Sequence, residues 1–183
     1  PLVENVAPEA STQATVTAGS NTWTTSVSGT VPQIQKIKDW PTDQGGFFSE
    51  ADVQRGALVA VLGQTVVDNL FPQGLNKSDA EIQINGLKFT VIGVLKSKGA
   101  AGAGSDQDDA IYIPLTTAQQ RFLGSNSLRM INVQAVSQES LPYLKESITS
   151  LLRQRHRLAE SAENDFRIQD MAEVLSTIED TTE

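Results

Sequence analysis

The chain has 183 residues, enough to bury roughly 70% of its unfolded surface without help from disulfides or metal. Its 14 Lys and Arg against 22 Asp and Glu give a net charge of −8, which argues against nucleic acid and against docking on anionic lipid, since both need clustered cations. With no cysteine and a single histidine, His156, thiol catalysis, iron–sulfur ligation and Cys-based zinc sites are excluded, and little is left for a His-based triad.

In chain order, residues 12–30 are rich in Thr, Ser and Val and predict two strands joined by a turn at Gly19-Ser20-Asn21. Ile34, Ile37 and Trp40 fall at helical spacing before Pro41. Ser49 with Asp52 three residues on predicts a capping box, and Gly56 ends that helix. Ala57 to Leu62 is a continuous apolar run of strand length, buried on both faces. Gly63 leads into a helix in which Val66 and Leu70, and Val67 and Phe71, pair at i,i+4. Ile82-Gln83-Ile84 and Leu87 to Val91 alternate around Asn85-Gly86, a strong hairpin signal because both turn positions need positive φ. Ala110 to Ile113 is a further strand closed by Pro114. Thr116 then predicts a helix cap, with Gln119 as its capping-box partner and Gly124 at the far end. Leu128 to Ala135 is a strand. Ser140 to Arg155 is a helix with Leu141, Leu144, Ile148, Leu151 and Leu152 on one stripe, expected to pack on the same sheet as residues 58–62. Phe166 to Ile168 predicts a short strand, and Asp170 caps a last amphipathic helix. Strands and helices alternate, an α+β layout.

Few groups point to chemistry. Asp106, Asp108 and Asp109 resemble a hard-cation site only loosely, because they lack EF-hand spacing, and are expected to form a solvated loop tip. Gly99 to Gly104 is not a phosphate-binding loop, since no Lys-Ser/Thr follows it. It predicts a poorly ordered loop over 99–109, either a place where a partner is met or an inert insertion. Lys96, Lys98, Gly99, Gly102, Gly104, Asp106, Asp108 and Asp109 are its candidate contact residues. His156 lies between Arg155 and Arg157 with no evident partner and is expected to be a charged helix end. No catalytic, cofactor or metal residue is assigned. No apolar run approaches the ~20 residues of a membrane span. The start at Pro1 lacks a signal pattern and has the look of a piece from a larger protein.

Four phrases in order carry a resemblance. Leu58 to Gly63 followed by Leu70-Phe71-Pro72 resembles a signature of the MacB-type periplasmic core domain. Ile84 to Val94 is similar to that family's hairpin, and Ile111-Tyr112-Ile113-Pro114 with Thr117-Ala118 to the segment after its Gly-rich loop. The tail from Leu151 through Arg155-His156 to Ile178-Glu179 resembles the stretch that descends to a membrane helix.

The resemblance implies an extracytoplasmic domain of an inner-membrane ABC transporter permease, inserted between its first two membrane helices. It implies a porter-like α/β part from residues 1–72 and 126–183, without the family's opening strand and helix, and a smaller inserted sabre-like β-rich part from 73–125. It also implies mechanical transmission rather than catalysis, with ATP hydrolysed elsewhere. The implied partners are an adaptor (membrane-fusion) protein, an outer-membrane channel and a second permease copy. Two other readings compete: a permease domain for lipoprotein release or cell-wall hydrolase control (FtsX-like), and a free-standing enzyme or solute-binding protein. The last needs a concave site with convergent polar groups.

Overall fold

The structure is a computed structural model and describes residues 2–76, 80–101 and 105–171. Two long strands open the chain, β1 (Val3–Ala18) and β2 (Asn21–Thr30), paired antiparallel with Thr15 opposite Thr24. Their β-branched residues suit a pleated surface, and Gly19 turns the corner at φ +58. The helix α1 (Ile34–Lys38) and the strand β3 (Thr42–Gly45) follow. The helix α2 (Glu50–Arg55) carries the predicted capping box, with Ser49 and Asp52 bonded reciprocally. The strand β4 (Val59–Leu62) feeds α3 (Gln64–Leu70). The predicted hairpin is β5 (Glu81–Ile84) and β6 (Leu87–Leu95), turned by Asn85 at φ 48 and Gly86 at φ 84.

Next come the short strands β7 (Ala100–Ala101) and β8 (Ser105–Asp106), then β9 (Ala110–Pro114) and α4 (Leu115–Ala118). The capping box predicted at Thr116 is absent. The helix starts after Pro114, so Thr116 lies inside it and its hydroxyl donates to the Val53 carbonyl instead. The chain continues as a π-helical turn over Gln119–Leu123 to Gly124. The strand β10 (Met130–Ala135) precedes the last described helix, α5 (Leu141–Arg155).

Among the described residues, eight strands form one mixed sheet in the order β10-β1-β2-β9-β4-β6-β3, with β5 bonded to both β1 and β6 off that path. β4 is central, antiparallel to β9 and parallel to β6. The period-2 rule divides its side chains between two cores. Ala60 and Leu62 join Val27, Phe89, Ile111 and Ile113 under Val66 and Leu70 of α3. Val61 joins Trp40, Phe48, Val53, Leu95 and Tyr112 on the other face. Each large side chain buried in this way contributes roughly 1.5–3 kcal/mol.

The chain folds as two compact units, Asn5–Gln134 and Pro1–Glu4 with Ala135–Glu183. β5, β6 and β9, from residues 73–125, are hydrogen-bonded to β1, β2 and β4, from residues 1–72, in one sheet. The larger unit thus joins segments that the resemblance assigns to separate subdomains.

In the smaller unit, α5 bears the predicted leucine stripe, but only Leu144 is buried and Leu151 is 50% exposed. α5 belongs to the smaller unit and the strand β4 to the larger one. Amphipathic spacing says that a face is apolar, not what covers it. Residues 166–168 form no strand. The predicted last helix lies, after Met171, outside the described residues.

Candidate functional site

The candidate loop begins where β6 ends and returns at β9. Its base is built rather than loose. Asp108 is 4% exposed and accepts hydrogen bonds from Ser97 Oγ at 2.6 Å, the Lys98 amide at 2.8 Å and the Gly99 amide at 3.0 Å. Burial pushes its carboxyl pKa up, but those three donors and the Lys98 charge hold it below the ordinary carboxylate value. Asp109 accepts from Trp23 Nε1 at 2.8 Å and Thr25 Oγ1 at 2.7 Å. Asp106 accepts from Thr65 Oγ1 at 2.5 Å and from the Asp108 amide at 2.9 Å. The expected solvated tip is therefore corrected: two of the three aspartates bind the turn to β2 and to the chain after β6, because desolvated carboxylates need donors. Beyond this base Ala100 pairs with Asp106 and Ala101 with Ser105, a short ribbon. Gly102 and Gly104 lie outside the described residues. Among the described residues, no group of three or more His, Asp and Glu is placed to hold a metal ion.

Gly63 makes the close approach beneath this base possible. A Cβ there would stand 2.1 Å from the Asp108 carbonyl oxygen, and the Gly63 amide donates to the Ala110 carbonyl at 2.8 Å. A side chain would push the turn away from the β4–α3 junction.

The lysine side of the loop rests on aromatics. Lys98 Nζ lies 5.1 Å from the Trp40 ring centroid and donates to the Lys38 carbonyl at 2.5 Å. Lys38 Nζ donates to Tyr112 Oη at 3.1 Å and lies 3.8 Å from Glu9 Oε2. Burial pulls the Lys38 pKa down, yet Tyr112 and Glu9 more than offset it and leave the pKa above its ordinary value. Burial likewise raises the Tyr112 pKa, against the pull of Lys38. The Trp40 and Tyr112 rings meet edge to face at 5.8 Å. The cavity beside them holds about 10 Å³, room for about one water and no organic ligand.

Of the eight residues grouped from the sequence, Lys98, Gly99, Asp106, Asp108 and Asp109 meet at this base, Lys96 bonds instead to Pro41 and Trp40, and Gly102 and Gly104 lie outside the described residues. Sequence reasoning missed Ser97, Thr65, Trp23, Thr25 and Lys38. Nothing in their spacing marks them, because their contacts cross 41 to 86 residues except at Ser97, eleven residues before Asp108. His156, expected to lack a partner, pairs through Nδ1 with Asp165 Oδ1 at 2.7 Å and meets the Phe166 ring edge-on.

The MacB-like periplasmic core domain family matches residues 1–151. The macrolide export ATP-binding/permease protein MacB of Bdellovibrio bacteriovorus is 34% identical over 182 residues, 99% of this chain and 28% of that protein. The pyoverdine export ATP-binding/permease protein PvdT of Pseudomonas entomophila is 34% identical over 157 residues, 86% of this chain and 24% of that protein. The crystal structure of the periplasmic region of MacB from Actinobacillus actinomycetemcomitans superposes with a TM-score of 0.80 at 25% identity, covering 100% of this chain and 78% of that one. The extracellular domain of the ABC-type transporter YknZ from Gram-positive bacteria shares the fold, with a TM-score of 0.74 at 19% identity over 87% of this chain and 79% of that one. The chain belongs to the MacB-like periplasmic core domain family, an extracytoplasmic α+β domain of ABC transporter permeases. It spans about a quarter of the length of these curated relatives. No helix among the described residues is long and apolar enough to cross a membrane.

Proposed function

We propose that this chain is a non-catalytic module that passes an ATP-driven movement at the membrane to a partner protein during export. The partner is an adaptor (membrane-fusion) protein, with an outer-membrane channel beyond it and a second permease copy beside it. The observation that carries the reading is the tethering of residues 96–101 and 105–109. A ribbon held at both ends by Asp108, Asp109, Lys98 and the Trp40 ring moves with the sheet instead of trailing from it. Packed elements move as units, so a displacement of the sheet reaches the ribbon undiminished. The names of the relatives, export proteins for macrolides and pyoverdine, support an export context. Hydrolysis of ATP belongs to another part of such a transporter.

The test is Asp108→Ala in the whole transporter that carries this domain. Export falls while basal ATP hydrolysis and membrane abundance stay unchanged. Normal export by a variant whose ribbon base is shown to be released would overturn the reading.

A further inference from the structure

The end of α5 is set by side chains and not by a helix breaker. No Gly or Pro stands after Pro142. Residues 157–163 consist of Arg, Leu, Ala and Glu apart from Ser161, and these four are strong helix formers. Leu158 lies seven residues after Leu151, and Ala162 four further on, so the apolar stripe of α5 continues in the sequence. The chain turns instead. Arg157 takes φ 55, the left-handed position that favours Gly. Its amide donates to the Gln154 carbonyl at 3.2 Å, and the Leu158 amide donates to the Arg153 carbonyl at 3.0 Å. The Arg153 guanidinium clasps the turn. Nη1 donates to the Ala162 carbonyl at 2.9 Å and to Asn164 Oδ1 at 2.7 Å, and Nη2 to the carbonyls of Ala159 at 2.7 Å and Glu160 at 3.3 Å. Two further pairs fasten the return, His156 to Asp165 at 2.7 Å and Lys145 to Asp170 at 2.9 Å. Helix from Lys145 to His156 and extended chain from Asp165 to Asp170 each span about 16 Å, so the strap runs back along α5. No residue from 156 to 170 is buried. The strap is therefore fastened by polar contacts near solvent, where each contributes little.

We propose that residues 156–164 are a two-state element: the clasped turn of this structure, and a second form in which α5 continues to about Glu163. The two forms compete closely because the clasp opposes the local helix propensity and holds Arg157 in a costly conformation. Both satisfy the same backbone groups. The Ala159 and Glu160 carbonyls accept from Arg153 in the turn, and from the amides four residues on in the longer helix. In the clasped form a pull on Asp170 is borne by Lys145, within α5; in the longer form it is borne by the end of the helix. The element thus sets where along α5 a displacement enters. That consequence rests on the reading of the domain as a transmitting module, whereas the two forms themselves do not.

The experiment measures the distance between two nitroxide labels on the 183-residue chain, at Glu146→Cys and Glu163→Cys. Both positions are exposed, and the chain has no cysteine of its own. An unbroken helix sets these sites about 26 Å apart, and the clasped turn brings them closer. Arg153→Ala makes the longer separation the major one, and the Cα chemical shifts of residues 158–163 move to helical values. Arg153→Lys, which keeps the charge but loses the fork, gives a smaller change of the same kind. Arg157→Gly added to Arg153→Ala cancels both changes, because Gly suits the left-handed turn and weakens the helix. Hydrogen-exchange protection around Leu144 is kept in every variant, which shows that α5 itself stands. A broad separation with unstructured shifts in Arg153→Ala would mean that the turn only frays, and would overturn the second form. A distance unchanged by Arg153→Ala would remove the clasp and equally overturn the proposal. Neither result touches the coupling assay with Asp108→Ala, so the two readings fail separately.

Discussion

The carboxylate of Asp108 accepts a hydrogen bond from the hydroxyl of Ser97, eleven residues earlier, at 2.6 Å, and by doing so joins the end of β6 to the start of β9. Removing that acceptor leaves the Ser97 hydroxyl and the Lys98 and Gly99 amides without this partner in a part-buried place. Asp108→Ala is expected to cost about 1–3 kcal/mol, read as a lower urea midpoint with an unchanged m-value. Asp108→Asn keeps an acceptor oxygen and should lose less. Equal losses for the two variants would mean that the hydrogen bonds contribute little.

The same carboxyl sets a pH dependence. Its folded pKa is depressed, so the unfolded chain binds the proton more tightly. The stabilisation is therefore fully present above the ordinary carboxylate pKa of about 3.9, and is lost as pH falls below it through the folded value. Asp52, held low chiefly by the Ser49 amide, adds a change of the same sign. Urea midpoints measured from neutral pH down to acid pH should fall for the native chain. The Asp108→Asn variant should show a flatter slope, and an unchanged slope would contradict the assignment.

Gly63→Ala places a methyl 2.1 Å from a backbone oxygen that cannot rotate away. The junction or the Asp108 turn must shift, at roughly 1–3 kcal/mol. Gly46→Ala is the control, because a Cβ there meets nothing within 4 Å and its φ is ordinary. Melting temperatures of the two variants should separate; coincident values would show that the turn yields freely.

In the smaller unit, Leu144 and Leu151 occupy one stripe of α5 but differ in burial, at 5% and 50% exposed. Leu144→Ala is expected to cost about 2–5 kcal/mol. Leu151→Asp should leave the fold standing, whereas the leucine stripe taken by itself predicts that it unfolds. Hydrogen exchange along α5 distinguishes them: protection is lost in the first variant and kept in the second.

Local signals in the sequence determined the local structure. Asn85-Gly86 specified the hairpin because few residues tolerate positive φ twice in succession. Ser49 and Asp52 specified a helix start because their side chains reach their own backbone. The unbroken apolar run before Gly63 marked β4 as central because only a strand covered on both faces can be apolar throughout. Thr116 misled because Pro114 can itself begin a helix, which freed the hydroxyl for Val53. What the tertiary structure alone decided is which distant groups meet. Trp23 with Asp109, Thr65 with Asp106 and Lys98 with Lys38 are 86, 41 and 60 residues apart. No periodicity encodes such pairs. They follow from the strand order, in which β9 lies between β2 and β4, and that order is chosen by the burial of whole faces rather than by any residue in the loop.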